Sequence, residues 1–464
     1  MSPRKKAPVK KAAAKPSKAA PKAAKGKGKA EVPKKPRKKT PRSLRGMKDL
    51  LPKDESYWRR MYKKADEISA AYEYQYIETP IVEEAALFVR SIGKGTDVVD
   101  KEMYVFEDRD GGKIALRPEA TASIARAYIE HGLHSTPQPS KVWYCGPMFR
   151  YDRPQAGRYR EFHQFGAESI GERSPVVDAE VIALGYNFIR DLGIETTVYI
   201  NSIGTVEDRE RYLIELVGYF RSKRSYLSDL SKKRLTKNPL RILDSKEEQD
   251  IPIVEEAPQI LDWLSEKSRT YFMQVLEYLD EAGVPYALKP TLVRGLDYYT
   301  DTVFEFYVEE GETGSQSALG GGGRYDGLIE ELGGQPTPAA GFALGLERIM
   351  RILRAKDDGR ELVGGNDSKI FFAQLGEQSR RRALGMIEGL RREGIVVQHN
   401  LAKTSLKAQL ELANKYGVTH AVILGQKELL DGAVIIRDME SGIQEIVDQK
   451  KLGKELEKIL KKGK

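Results

Sequence analysis

The sequence predicts an α+β fold in which a hairpin-rich core carries a helical insertion and is followed by a separate α/β domain. Three observations predict it. Strand-like segments joined by polar, Gly-containing turns pair as hairpins, with strands Tyr104–Glu107 and Ile114–Leu116 in the first and the apolar Val142–Cys145 and the polar-alternating Glu161–Glu168 in the second. From about Val206 to Pro285 the chain turns Lys-, Glu- and Leu-rich, with helical periodicity and few strand signals. After Ser368 strand and helix patterns alternate, as in a small α/β domain with a partly parallel sheet.

The elements follow from the N-terminus. Residues 1–43 form a Lys/Ala/Pro-rich arm, and residues 1–42 hold 17 Lys and Arg against one acid, Glu31. The chain's +9 less the arm's +16 leaves the rest at −7. Such a segment has too little apolar surface to order itself and is expected to be disordered. It would add salt-sensitive affinity for polyanions such as RNA, or serve only as a solubilising extension. Order is expected from Leu44, where "RGMKDLLP" reads as a short strand or turn ended by Pro52. A helix from about Asp54 puts Trp58, Met61, Ala65, Ile68 and Tyr72 on one face. "YQYIETPIVEE" alternates like a strand, with Pro80 marking an edge or interface. Val177, Val181, Leu184, Phe188 and Leu192 mark another helix, and "TTVYINSIG" another strand.

Beyond the insertion, strands are expected through "TLVRGLDYYTDTVFEFYV" and the Gly-rich "ALGGGGRYDGL", and "AAGFALGLERIMRIL" reads as a strand entering a helix. The predicted organisation is a core over 44–205 and 286–358, an insertion over 206–285, a polar linker over 359–367 and a second domain over 368–464. In that second domain "KIFFAQL", "IVVQH", "THAVILG", "AVIIRD" and the segment around Ile446 read as strands, with helices at Arg380–Glu393 and Leu406–Tyr416.

Composition bounds the function. Among 464 residues, 40% are hydrophobic and 31% charged, which fits a globular protein of about three domains. No run approaches the roughly 18 apolar residues of a membrane span, so no membrane role is expected, and without a secretory signal the location expected is cytoplasmic. The lone Cys145 excludes a disulfide framework and a Cys-based zinc cage, and five histidines without HxH or HxxxH spacing predict no protein-bound metal.

The densest chemistry lies in "VWYCGPMFRYDRPQAGRYREFHQFGAESIG", residues 142–171. Arg150, Arg153, Arg158, Arg160 and Arg173 are placed at a hairpin tip, flanked by strands bearing Glu161, His163, Gln164 and Glu168. That grouping suits an anionic, phosphate-bearing substrate, although an edge hairpin coated in solvated arginine has the same composition. Gly320–Gly323 lacks the Gly-Lys-Ser/Thr ending of a phosphate loop and reads instead as backbone passing close to a substrate. His163, between two aromatics on a strand, fits a structural role better than catalysis.

In this order the segments resemble the class II aminoacyl-tRNA synthetases, and within them the histidyl-tRNA synthetase family, over about Leu44 to the C-terminus. "IETPIVEE" with its preceding helix resembles motif 1, "GPMFRYDRPQAGRYREFHQ" motif 2 and "AAGFALGLER" motif 3. "LVRGLDYYTDTVFEF" and "GGGRYDGL" resemble segments specific to the histidine family. Asp152 stands where the family carries an acidic residue, often glutamate.

The resemblance implies an antiparallel-sheet class II catalytic core, a C-terminal anticodon-binding domain of subclass IIa and, through motif 1, a homodimer. It implies activation of L-histidine with ATP to an adenylate, then transfer to tRNA(His), with Mg2+ accompanying ATP. Arg150 would serve the α-phosphate, Arg348 the ATP tail, and Arg294 both substrate carboxylate and α-phosphate, with Arg158 and Phe162 completing the ATP site. Glu168 would accept from one imidazole nitrogen and Tyr299 face the other, with Tyr298 and Tyr325 lining the pocket. Glu119, Thr121 and Gln164 would hold the ammonium, though "PEAT" alone equally fits a helix cap. Arg153 and Gln155 would meet the tRNA acceptor end, and the insertion would clamp the acceptor stem. The competing function is the regulatory paralogue of ATP phosphoribosyltransferase, which does not charge tRNA. It typically lacks an anticodon-binding domain, whereas roughly 97 residues follow Asp367 here.

Overall fold

The computed structural model describes residues 40–93, 96, 98–152, 157–310, 315–357 and 369–462. Arg153, Gln155, the 359–367 linker and nearly all of the basic arm therefore lie outside the described residues. In chain order the strands are β1 (Gln75–Tyr76), β2 (Val82–Glu84), β3 (Val105–Glu107), β4 (Lys113–Leu116), β5 (Ser140–Phe149) and β6 (Glu161–Ile170). Then come β7 (Thr197–Ser202), β8 (Tyr286–Leu288), β9 (Thr300–Glu310), β10 (Ser315–Arg324) and β11 (Ala339–Gly345). The C-terminal strands are β12 (Ile370–Gln374), β13 (Gln398–His399), β14 (His420–Leu424), β15 (Ala433–Asp438) and β16 (Gln444–Asp448).

An eight-stranded sheet runs β1-β5-β6-β11-β10-β9-β7-β8. It is antiparallel except at its two edges, where β1 runs parallel to β5 and β8 parallel to β7. Its two faces are chemically different because side chains alternate along each strand. One face presents Trp143, Phe165, Phe304, Phe306 and Phe342 to the helices Glu55–Ala71, Pro175–Asp191 and Glu266–Glu281. Those helices answer with Trp58, Met61, Ala65, Val181, Leu184, Phe188, Phe272 and Leu279, all buried. The opposite face carries Tyr144, Tyr298, Tyr299 and Tyr325 in a cluster with Tyr212, Leu216 and Phe220 from helix Val206–Ser222. The site occupies that second face.

Between 206 and 285 the described residues hold helices Val206–Ser222, Asp229–Lys237, Ile251–Glu255 and Glu266–Glu281. The last of these packs into the main sheet's core rather than with the others. The C-terminal region builds its own sheet, β13-β12-β14-β15-β16, parallel through β14 and antiparallel beyond. Its two apolar clusters draw only on residues after 369.

Several expectations are corrected. "YQYIETPIVEE" is two short strands, β1 and β2, separated at Pro80, which has no N–H to donate to a ladder. Residues 291–299 form a loop, not a strand, with its polar groups committed to insertion side chains. Arg241 donates to the Gly295 carbonyl at 3.1 Å, Arg209 to the Tyr299 carbonyl at 3.0 Å and Asn238 to Asp297 at 3.1 Å. Of "IVVQH" only Gln398–His399 is strand, and "RGMKDLLP" holds a turn but no strand. A final helix, Leu452–Lys462, was not expected. Arg173 lies past the end of β6 rather than at the hairpin tip.

Candidate active site

Twelve of the predicted site residues line one cavity of about 600 Å³. They are Glu119, Thr121, Arg150, Arg158, Phe162, Gln164, Glu168, Arg294, Tyr298, Tyr299, Tyr325 and Arg348. The sheet register explains the convergence. Glu168 on β6 lies opposite Val142 of β5 and Gly341 of β11, and Gln164 opposite Gly146 and Gly345. The glycines are steric necessities: a Cβ on Gly341 would fall on the Glu168 carboxylate, and one on Gly323 would come within 2.8 Å of the Tyr299 ring. Glycines 320–323 also press against carbonyls of β9 and β11, leaving no room for side chains.

One end of the cavity is built from buried carboxyls and phenols. Glu168, 1% exposed, accepts hydrogen bonds from Thr121 Oγ1 at 2.7 Å and from the Tyr325 hydroxyl at 2.5 Å. Burial pushes its carboxyl up to about 8, against the pull of those two bonds and with added repulsion from Glu119. Glu119 accepts from the backbone N–H groups of Thr121 and Ala122, at 2.7 and 3.0 Å. It therefore satisfies first-turn N–H groups of helix Thr121–Glu130, from one residue before the Ala120 N-cap, as well as lining the cavity. Burial raises Glu119 too, opposed by those N–H groups and by the Arg150 charge. The Tyr298 ring lies 4.7 Å from Tyr299 and 5.7 Å from Tyr325. Gln164 Oε1 is buried and has no hydrogen-bond partner among the described residues.

The other end is cationic. Arg150 Nε donates to the Pro118 carbonyl at 2.8 Å, and its guanidinium lies 5.5 Å above the Phe162 ring. Arg294 pairs with Glu305 and lies 5.7 Å from the Tyr299 ring centre. Burial opposes its charge, but Glu305 together with Tyr299 and Tyr298 more than compensates, so the guanidinium is held firmly protonated. Arg348 donates to the Ala318 carbonyl from the first turn of helix Leu346–Lys356. Arg158 reaches Asp152 at 3.3 Å.

His163 is structural: its backbone N–H and Nδ1 both meet the Glu347 carboxylate at 2.9 Å, and its ring packs edge-on to Trp58 at 4.8 Å. Cys145 is partly buried, and burial pushes its thiol up to about 12, removing it as a nucleophile at neutral pH.

Sequence inspection missed three features. Tyr144 lines the cavity, although "VWYC" looks uniformly apolar. Arg324, 0% exposed, is fixed by Asp178 and Asp326, while Arg173 bonds Asp301 and the same Asp326; this network brackets Tyr325. The signal for Arg324 was present in "GGGRYDG", where it directly precedes a pocket tyrosine. Arg234, Arg241 and Lys246 of the insertion also line the cavity.

The arrangement can hold a molecule that presents hydrogen-bond donors to one end and phosphates to the other. Comparison with known proteins agrees. A family model described as "Histidyl-tRNA synthetase" matches residues 46–349, and one described as "Anticodon binding domain" matches 369–459. The chain is 44% identical over 409 residues to the histidine–tRNA ligase of Thermosynechococcus vestitus, covering 88% of this chain and 94% of that one. It is 44% identical over 417 residues to the histidine–tRNA ligase of Halothermothrix orenii, covering 90% and 99%. Among solved structures it is similar to apo S. aureus histidyl-tRNA synthetase, with a TM-score of 0.74, 35% identity and coverage of 89% and 99%.

Proposed function

Because the chain belongs to the histidyl-tRNA synthetase family, we propose that this cavity is where L-histidine and ATP meet, with each lining residue in the role given below. The chain activates histidine with ATP and charges tRNA with it. A histidine carboxylate oxygen attacks the α-phosphorus as the bond to the β-phosphate bridge breaks, and pyrophosphate leaves with the electron pair. A tRNA ribose hydroxyl then attacks the adenylate's carbonyl carbon, the C–O bond to the phosphate breaks, and AMP departs with that electron pair while the hydroxyl proton is released.

Both reactants of the first step are anionic, so fixed cations aimed at the developing charge lower the barrier most. Arg150 and Arg294 take the α-phosphate in this scheme, and Arg294 also steadies the attacking carboxylate. Its planar fork and its anchor on Glu305 suit that double contact. Arg348, Arg158 and Phe162 serve the rest of ATP. Mg2+ enters as the counter-ion of the ATP phosphates, held mainly by them.

Glu168 accepts the imidazole N–H and Tyr299 meets the opposite nitrogen, beside Tyr298 and Tyr325. Glu119, Thr121 and Gln164 take the ammonium, a role that the unpartnered Gln164 Oε1 supports. For the tRNA, Arg153 and Gln155 serve the acceptor end, the insertion the acceptor stem and the region after residue 368 the anticodon. A homodimer in the cytoplasm completes the proposal; among the described residues no helix is long and apolar enough to cross a membrane.

The observation that carries the assignment is the meeting, in one cavity, of a buried acceptor at Glu168 with arginines 150, 294 and 348. The match of an anticodon-binding domain over 369–459 favours charging over the regulatory function. Pyrophosphate exchange run against all twenty amino acids tests it: exchange with histidine alone is expected, and exchange with another amino acid or none overturns it.

A further inference from the structure

We propose that the Tyr144 hydroxyl is a further ligand of the substrate's ammonium group, an assignment that rests on the histidine–ATP reading of the cavity. Tyr144 lies directly opposite Gly166 in the β5–β6 register, and residues opposite one another share a face. A Cβ built on Gly166 would strike the Tyr144 Cζ and hydroxyl oxygen, so the end of the ring lies over that glycine. Gln164 and Glu168 flank Gly166 at alternate positions and project to the same face. The hydroxyl therefore sits between the side chains assigned to ammonium and to ring.

Tyr144 is 5% exposed, it lines the cavity, and its hydroxyl has no hydrogen-bond partner among the described residues. The neighbouring Gln164 Oε1 shares that condition. These two buried oxygens both line the cavity, and together they mark a place where a ligand completes the bonding. An ammonium has three N–H donors and can satisfy both at once. Burial and the nearby Glu168 and Glu119 charges keep the phenol protonated, so it meets the ammonium as an acceptor through a lone pair.

The test is Tyr144→Phe, which keeps the ring over Gly166 and removes one oxygen. In pyrophosphate exchange the KM for histidine is expected to rise about ten- to a hundredfold, with kcat falling far less and the KM for ATP held. The decisive comparison uses two competitive inhibitors. Histidinol keeps the ammonium and should weaken by the same factor, whereas 3-(imidazol-4-yl)propionate lacks it and should bind both proteins equally. An unchanged histidine KM, or equal losses for both inhibitors, overturns the assignment. Wild-type protein that fails to exchange with histidine would instead sink the function on which it rests.

Discussion

The catalytic sheet and the C-terminal α/β region bury polar groups in opposite ways. Among the described residues, the buried charged side chains all precede residue 325, including Arg117, Glu119, Glu168, Asp178, Asp301 and Arg324. After residue 369 the buried polar side chains are neutral: Gln374, Ser379 and Gln409. Gln409 accepts from the Gln374 backbone N–H at 3.0 Å and donates to its carbonyl at 2.7 Å, closing the pair without charge. Burying a charge is expensive unless it is paired. Glu119 and Glu168 carry that expense inside the cavity, where a desolvated carboxyl acts most strongly on a donor, while Asp178, Asp301 and Arg324 meet it by pairing. A region that recognises nucleic acid through its surface gains nothing from buried ions.

The contrast breaks most visibly at Arg294. Arg294→Ala is expected to lower kcat/KM in pyrophosphate exchange by about 10²- to 10³-fold, a far larger effect than the fall in thermal midpoint caused by leaving Glu305 without its partner. Arg294→Lys should recover little, since it keeps the charge but loses the fork. Exchange kinetics like the wild type's would remove the role given to this residue.

Glu168 sharpens the same contrast through pH. With its carboxyl pushed up to about 8, the empty pocket holds a proton below that value, whereas the contact proposed with the imidazole N–H needs the carboxylate. The kcat/KM for histidine should therefore climb with pH towards about 8, and Glu168→Gln should flatten that limb at a level about 10- to 10²-fold lower. Stability has the opposite sign. The raised carboxyl favours the fold below its unfolded range, near 4.5, and that contribution is lost as pH rises through about 8. Urea midpoints for the wild type and Glu168→Gln should converge below about 4.5, separate progressively from there to about 8 and run parallel above it; profiles parallel throughout would contradict the burial of this charge.

How much of this was legible depended on whether the signal was local. β5 and β11 were readable as apolar runs closed by a turn or a helix start, β6 by its polar residues at alternating positions, and the arginines stood inside recognisable segments. Tyr144 was not, because its role comes from lying opposite Gly166, a partner fixed only by register. Residues 291–299 read as strand because their apolar and aromatic content matches one. Their backbone instead bonds Arg209 and Arg241, whose positions no local pattern reveals. Arg173 was misplaced for a plain reason: charge was grouped along the sequence, whereas Asp301 and Asp326 attract it from far down the chain.

A smaller effect is expected in the neutral interior. Gln409→Ala leaves the Gln374 N–H and carbonyl buried without that partner, at about 1–3 kcal/mol. The two regions have separate apolar clusters, so the loss should appear as earlier melting of the C-terminal region and weaker charging of tRNA. Pyrophosphate exchange should stay at the wild-type rate, and a parallel fall in exchange would mean that the two interiors are not independent.

The smallest effect belongs to the arm. Deleting residues 1–40 removes 16 Lys and Arg together with Glu31 and touches none of the cavity residues. Adenylate formation should be unchanged, because every residue assigned to histidine and ATP lies outside the deleted segment. The tRNA KM should rise severalfold at about 50 mM salt and converge with the wild type as salt increases, since released counter-ions drive this kind of contact. The logarithmic dependence on salt should also become shallower, by an amount that counts the phosphates the arm engages. An unchanged slope would assign the arm to solubility alone. A large drop in adenylate formation would place part of it at the catalytic cavity, against the division between charge buried for chemistry and charge displayed for binding.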